Sequence, residues 1–402
     1  MDTPGVVSWQ SWVEVGHRNE LDPGTTGFAH FFEHLMFYGT AELPREAREA
    51  QLQALGVSEN AWTWNDDTVY HCVVATEALP EVVRIEADRF QHFQVTEAQL
   101  TRESGAVDGE YRMGRASPWS RTFEGLYAAS FSVHTYHHPT IGWKADIDAM
   151  PTQAETAAAF FDTYYRPDRV RIVVAGDFDA DALLQLIDQH YGGWARGPEV
   201  PVIPAEPVQE GPIRVQVPWD GGPVNPQLMM GWRVPGFDPA DPTSAGLDLI
   251  GELLTSDVAP LKRALVDEQR WAWDVGGGSF QHADPHLFLV EAELTDAAHL
   301  QATEDAVLAE LERLAAELGA DELDAARNHA LRAAQLKLDD PVQVAELIGH
   351  FTRGDRSPAV IETYFANYAA LTVPQVRALV AQVFTPENSS VAILDASAQE
   401  TP

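Results

Sequence analysis

The sequence has a single cysteine, Cys72, in 402 residues. That excludes a disulfide framework within the chain and a zinc site built on thiolates. Cys72 lies in the apolar run Val69-Tyr70-His71-Cys72-Val73-Val74 and reads as a buried strand residue. Cations are scarce too: 26 Lys and Arg stand against 61 Asp and Glu, a net charge of -35. No basic face can be assembled for a nucleic acid, and an anionic membrane surface is disfavoured for the same reason. Basic peptide segments would be attracted instead, less so as salt rises. The plainer reading is that the charge keeps the protein soluble. No run approaches the ~20 apolar residues of a membrane span. Met1-Asp2-Thr3-Pro4-Gly5 has neither a basic n-region nor an apolar h-region, so no signal peptide is expected in this chain.

The composition is otherwise that of a globular protein, 45% hydrophobic and 22% charged. The length suggests two or three domains. Seven prolines from Pro198 to Pro223 crowd the stretch 197–225, the best linker in the chain. It divides the sequence into 1–204 and 205–402. The first half opens on a strand over 6–15, with Val7, Trp9, Ser11, Val13 and Val15 on one face. A polar turn over 19–24 leads to a helix over 27–38. Another helix is expected over 46–55, then two strands within 60–74 broken at Asn65-Asp66-Asp67. Long helices over 79–93 and 97–114, a buried strand over 169–175 and a helix over 179–191 complete this half. The second half repeats the plan: strand 227–233, acidic turn 238–243, helix 244–254, strand 287–294, then helices over 299–318 and 321–338. The pattern predicts an α+β fold of two homologous domains, each a mixed, mostly antiparallel sheet with helices on one face.

The first helix carries His30-Phe31-Phe32-Glu33-His34. At 100° per residue, His30 and His34 lie about 40° apart on one face, with Glu33 on its flank. Two imidazoles one turn apart suit a tetrahedral zinc, and a carboxylate beside them can take a proton from metal-bound water. The plainer reading, three polar residues on a solvated helix, conflicts with the flanking Phe28, Phe31, Phe32, Leu35, Met36 and Phe37, which predict burial. A catalytic zinc needs a third ligand. The helix over 97–114 offers Glu103 and Glu110, seven residues apart and so on one face. Alone, that pair reads as a solvated charged stripe.

The segment Gly27-Phe28-Ala29-His30-Phe31-Phe32-Glu33-His34-Leu35-Met36-Phe37-Tyr38-Gly39-Thr40 resembles the signature of the pitrilysin/insulinase family of zinc peptidases, the inverzincins, which include the mitochondrial processing peptidase. Asn60-Ala61-Trp62-Thr63, His134-Thr135-Tyr136-His137-His138-Pro139-Thr140-Ile141-Gly142 and Tyr164-Tyr165-Arg166-Pro167 resemble further family segments. The resemblance implies a metalloendopeptidase with one zinc per chain. It places the third ligand about 76 residues beyond His34, at Glu110. His30, His34 and Glu110 would hold the metal, and Glu33 would activate the water. Glu103 would orient a neighbouring group in the catalytic site. Asn60 and Ala61 would bind the substrate as an added strand, which selects extended or unfolded polypeptide. The second half aligns Gly27 with Gly246, placing Leu249 and Leu253 where the histidines stand and Glu252 opposite Glu33. It would be the inert domain of the family's usual pair.

Two departures from the family bear on function. Relatives have a further strand before the one at Val6, so the start looks truncated, and periplasm and cytoplasm both stay open as locations. Many relatives also supply an arginine and, seven residues on, a tyrosine from the second domain. Here Val266 and Trp273 stand at those positions, and neither can donate as Arg and Tyr do. The chain is therefore expected to be the zinc-bearing subunit of a homodimer or of a heterodimer whose partner supplies the Arg/Tyr pair. A non-catalytic structural or peptide-binding subunit is the alternative. His137-His138 is set aside as a metal pair, since neighbours on a strand point apart. Gly276-Gly277-Gly278-Ser279 lacks the Lys-Ser/Thr of a phosphate loop and reads as a bend or bulge. Trp62 and Trp64 share one strand face and read as core, with the floor of a substrate pocket as the alternative for one of them.

Overall fold

The computed structural model describes residues 4–395. The expectation for Met1-Asp2-Thr3 therefore lies outside the described residues. The chain forms two compact units. The first gathers Met1–Tyr111, His138–Ile203 and Gln335–Arg356, and the second Arg112–His137, Pro204–Ala334 and Ser357–Pro402. Both are α+β, as the alternation of strand and helix patterns leads one to expect.

The first unit is built on four antiparallel strands: β1 (Val6–Val13), β2 (Ser58–Thr63), β3 (Thr68–Ala75) and β4 (Val170–Gly176), in the order β2-β3-β1-β4. The second unit has five: β5 (Ile213–Gln216), β6 (Gln227–Val234), β7 (Ala272–Ser279), β8 (His286–Leu294) and β9 (Ser389–Leu394), in the order β5-β9-β6-β8-β7. Its one parallel pair, β5 with β9, makes it mixed.

In the first unit the odd face of β1 behaves as its alternation predicts. Val7, Trp9 and Val13 are buried, Val7 and Trp9 against the apolar side of helices Leu79–His92 and Ala180–Tyr191, and Val13 in the cluster around helix Phe28–Leu35. The even face is buried as well, which alternation did not predict. Its cover comes from far along the sequence, the helix Pro341–Phe351. Trp12, Val69, Val173, Ala175 and Ala345 form that second, smaller core. Gln10, fully buried, takes the carbonyl of Val342 at 3.1 Å and accepts the Trp12 indole N–H at 2.9 Å.

Neither compact unit is one continuous stretch of chain, because the two exchange segments. Arg171 and Arg353 converge on Asp67, while Gly354 donates to Glu14 at 2.9 Å. These ion pairs and the apolar patch fasten segment 335–356 to the first unit. In return, helix Pro118–Ser130 packs in the second unit, where Leu126 and Tyr127 share a core with Met229, Leu287 and Leu394.

Three local expectations also change. Gly276–Gly278 belong to the edge strand β7, whose register breaks between Ala272 and Asp274. Gly277 is needed there: its φ is 125°, and a Cβ would lie 2.1 Å from the Leu289 carbonyl oxygen. His137 ends a short 3-10 turn, Thr135–His137, rather than lying on a strand. Trp62 packs edge-on against Trp12 at 5.3 Å, but Trp64 has left the strand and is 40% exposed.

The tightest point of the exchanged contact is Gly349, where an added Cβ would sit 2.1 Å from the Trp12 indole. Gly349→Ala should cost about 1–3 kcal/mol of stability through overpacking. Gly193→Ala, which meets open space, should cost far less. Denaturant unfolding of the two variants checks this, and equal midpoints would show that the clasp tolerates the methyl group.

Candidate metal centre

The histidine helix, Phe28–Leu35, starts at Gly27 with φ 89°, so its N-cap has no side chain to satisfy the first amides. A Cβ at Gly27 would also strike the Ile141 carbonyl at 2.4 Å. Glu20 caps the helix from a distance. Its two oxygens accept the N–H groups of Gly27 at 2.6 Å and Ala29 at 2.7 Å, placing an acidic group at the positive end of the helix. Burial pushes the Glu20 carboxyl up to about 8, while those two amides pull it back down. The apolar side of the helix, Phe28, Phe31, Phe32 and Leu35, is wholly buried. Phe32 stacks on Phe160 and Phe161 at 5.4 and 5.8 Å. The helix is therefore held at its start and along its length, and His30, Glu33 and His34 occupy its remaining face.

The ring centroids of His30 and His34 are 4.9 Å apart. Glu103 and Glu110 face them from the helix Glu97–Arg115. Glu110 Oε2 lies 3.4 Å from His30 Nε2 and 3.6 Å from His34 Nε2. One donor atom from each of the three residues falls within 4.8 Å of the others. Metal–ligand bonds of about 2.1 Å at tetrahedral angles put ligand atoms roughly 3.4 Å apart. The spacing thus fits a cation shared by two imidazole nitrogens and one carboxylate oxygen. Charge points the same way, because three carboxylates surround two imidazoles. Burial, then the neighbouring His34, lowers the His30 pKa to about 3, so that ring stays neutral with a lone pair to offer. His137 and His138 belong to no such donor group among the described residues.

Each remaining carboxylate is held by a neighbour. Glu103 Oε2 lies 3.3 Å from His34 Nδ1, and its Oε1 accepts the Tyr38 hydroxyl at 2.6 Å. A carboxylate only accepts, so Nδ1 of His34 carries a proton toward Glu103, which leaves Nε2, on the Glu110 side, as the nitrogen that would bind a cation. Burial opposes the charged form of His34, but Glu103, Glu110 and Glu33 outweigh it and raise the pKa. The contact with His34 draws the Glu103 pKa down. Glu33 Oε2 accepts the Thr63 hydroxyl at 2.7 Å, and burial raises the Glu33 pKa against that bond. The sequence marked Thr63 only as part of an edge-strand motif, Tyr38 only as part of the signature segment and Glu20 only as part of a polar turn, none of them with a role. All three act through tertiary contacts.

Asn60 and Ala61 lie on β2, at the open edge of the sheet. Asn60 is exposed, and its Oδ1 accepts the Ala61 N–H at 2.9 Å. Beneath this edge, Arg48 is 1% exposed and grips Glu59 of β2 through two bonds of 2.9 and 2.5 Å. It also approaches Glu86 at 3.4 Å, which pairs with Arg89 at 2.5 Å. That buried row fixes the height of the edge strand.

In the second unit the corresponding helix is Pro242–Thr255. Leu249 and Leu253, at 0% and 2% exposure, are core residues. Glu252 pairs with His329 at 2.9 Å. Val266 lies in the short π-helical segment Arg263–Glu268, and Trp273 is 63% exposed.

The doubled α+β frame with its H-x-x-E-H helix defines a two-domain peptidase class. The chain belongs to the insulinase family, peptidase family M16. Residues 4–143 match the family's "Insulinase (Peptidase family M16)" profile and residues 152–329 its "Peptidase M16 inactive domain" profile. The chain is 27% identical to the zinc protease PqqE of Helicobacter pylori, over 77% of this chain and 70% of that protein. It is 27% identical to the bovine mitochondrial-processing peptidase subunit beta over 51% of this chain, and 26% identical to human cytochrome b-c1 complex subunit 1 over 45%. The match spans only 42% and 37% of those two proteins. The crystal structure of a protease from Helicobacter pylori shares the fold with a TM-score of 0.90 and 24% identity, covering 98% of this chain and 95% of that one. A peptidase M16 inactive domain from Pseudomonas fluorescens does so at 0.83 and 16%, covering 99% and 95%.

One buried acid in the second unit gives a pH test. Asp248 accepts from Tyr364 and from Gln281, and burial still pushes its carboxyl up from 3.8 to about 7. Between about pH 4 and 7 the folded chain holds a proton that the unfolded chain has released, so this group lowers stability as pH rises through that window. The thermal midpoint of the wild type should fall across it relative to that of Asp248→Asn. Parallel profiles would show that Asp248 ionises normally.

Proposed function

We propose that the chain is a zinc-dependent metalloendopeptidase acting on extended peptides, with His30, His34 and Glu110 holding one zinc ion. The observation that carries this reading is the convergence of both imidazole Nε2 atoms on one oxygen of Glu110, at 3.4 and 3.6 Å. Bound there, zinc would supply a Lewis acid that polarises the scissile carbonyl and makes a water acidic enough to lose its proton near neutral pH. Glu33 would be the base, taking a proton at Oε1, the oxygen that does not accept from Thr63, and passing it to the departing amine. Glu103 keeps His34 in the tautomer whose Nε2 is bare. Substrate pairs with β2 along Asn60 and Ala61, where the Ala61 amide exchanges its bond to Asn60 Oδ1 for one to the peptide. The strand requirement selects unfolded segments.

Val266 and Trp273 leave the second domain without the donors expected for the developing oxyanion. We infer that a partner chain supplies them and that this chain is the zinc-bearing subunit of a dimer. The same two residues favour a second reading, a non-catalytic structural or peptide-binding subunit. The relationship to a cytochrome b-c1 subunit is in keeping with it.

Metal analysis combined with Glu33→Gln separates the readings. Wild type and Glu33→Gln should each hold one zinc per chain. Peptide cleavage, measured with the partner present, should fall roughly 10³-fold in the variant, the middle of the range for loss of a general base. His30→Ala should lose the metal. Zinc binding without cleavage in any assembly would favour the non-catalytic subunit, and a wild type that takes up no zinc would sink the peptidase reading.

A further inference from the structure

Tyr38 lies outside the ligand set and outside the Glu33–Thr63 pair, yet it touches the metal centre's hydrogen-bond network. It ends the short turn Met36–Tyr38 that follows the histidine helix, four residues beyond His34 and therefore on the same face. The turn stops at Gly39, with φ 70°, where a Cβ would meet the Leu43 carbonyl oxygen at 2.2 Å. The backbone is thus fixed immediately after Tyr38. The phenol ring is half-buried, and the Arg45 guanidinium lies over it at 5.2 Å. Arg45 is itself tied to Glu49 at 2.8 Å. The hydroxyl reaches Glu103 Oε1 at 2.6 Å, while the other oxygen of the same carboxylate faces His34 Nδ1 at 3.3 Å.

We propose that Tyr38 is a positioning residue for the metal: by holding one oxygen of Glu103, it aims the other at His34 Nδ1 and so fixes the imidazole that presents Nε2 to the cation. The proposal rests on the zinc reading above. A phenol at neutral pH has one proton to give and a carboxylate can only accept, so the direction of this bond is set by chemistry. Without it, Glu103 keeps a single partner on a flexible side chain. It can then turn its carboxylate to solvent, and His34 loses the acceptor that selects its tautomer. A hydroxyl that merely ties the end of the histidine helix to the helix Glu97–Arg115 would affect folding but not metal affinity.

The test is a double-mutant cycle read on zinc affinity, using chelator-stripped full-length chain and competition with a chromophoric chelator. Tyr38→Phe keeps the ring and the Arg45 contact and removes only the hydroxyl. Its zinc affinity should fall by roughly 10-fold, the low end for losing an outer partner of a metal ligand. In a Glu103→Gln background the same change should cost less than about 2-fold, because the carboxylate it acts on is gone. The thermal midpoints of the metal-free proteins report separately on folding. Zinc affinity of Tyr38→Phe equal to wild type overturns the proposal, as does an equal loss in both backgrounds. A wild type that binds no zinc overturns it together with the metal reading, whereas a zinc-binding wild type with an indifferent Tyr38 overturns this inference alone.

Discussion

Unbalanced negative charge is the constraint around which the first unit is organised. Glu33, Glu103 and Glu110 converge on two imidazoles, one of which burial keeps neutral at any physiological pH. Carboxylates brought together and partly withdrawn from water repel one another unless something positive lies among them. The surroundings hold the cluster in place. Glu20 anchors the start of the histidine helix, Phe32 and its aromatic neighbours fix its rotation, and Gly39 turns the chain sharply at its end. None of these groups does chemistry. Together they leave His30, Glu33 and His34 little freedom to move apart, and only a site preorganised in this way repays such a cost.

How much of this can be read from the sequence depends on how local each signal is. The H-x-x-E-H face needs only helix geometry, so His30, Glu33 and His34 stand out at once. Glu103 and Glu110 do not, since a Glu pair seven residues apart is common on any exposed helix. They could be assigned only through a family resemblance that supplies the long-range distance. Glu20, Tyr38 and Thr63 carry no local signal. Glu20 is seven and nine residues from the amides it caps, Tyr38 is 65 residues from Glu103, and Thr63 is 30 residues from Glu33.

The exchange of segments was illegible for a related reason. The amphipathic pattern of Pro341–Phe351 says that one side is buried but not against what. β1 shows the same limit from the other side. Its odd positions read correctly as one face, while nothing in the strand itself said what would cover Ser8, Gln10 and Trp12. The helix Pro341–Phe351, which is over 300 residues away, covers them. A proline-rich linker marks where chain composition changes and carries no record of which segments cross back. Binary patterning predicts burial, and topology decides the partner.

The second unit offers a comparison built into the same molecule. Its helix Pro242–Thr255 occupies the place of the histidine helix, and there Leu249 and Leu253 fill the core completely. The frame therefore accepts leucine at both positions and gains apolar burial by it. In the first unit the equivalent positions carry imidazoles that must be desolvated, capped, oriented by Glu103 and faced by Glu110. Folding has no need of that arrangement, since the sister unit folds without it. A chain that keeps the costlier option in one unit and the cheaper in the other is under a demand that stability does not impose. Two imidazole nitrogens and one carboxylate oxygen, all within 4.8 Å of one another, are the donors that arrangement brings together.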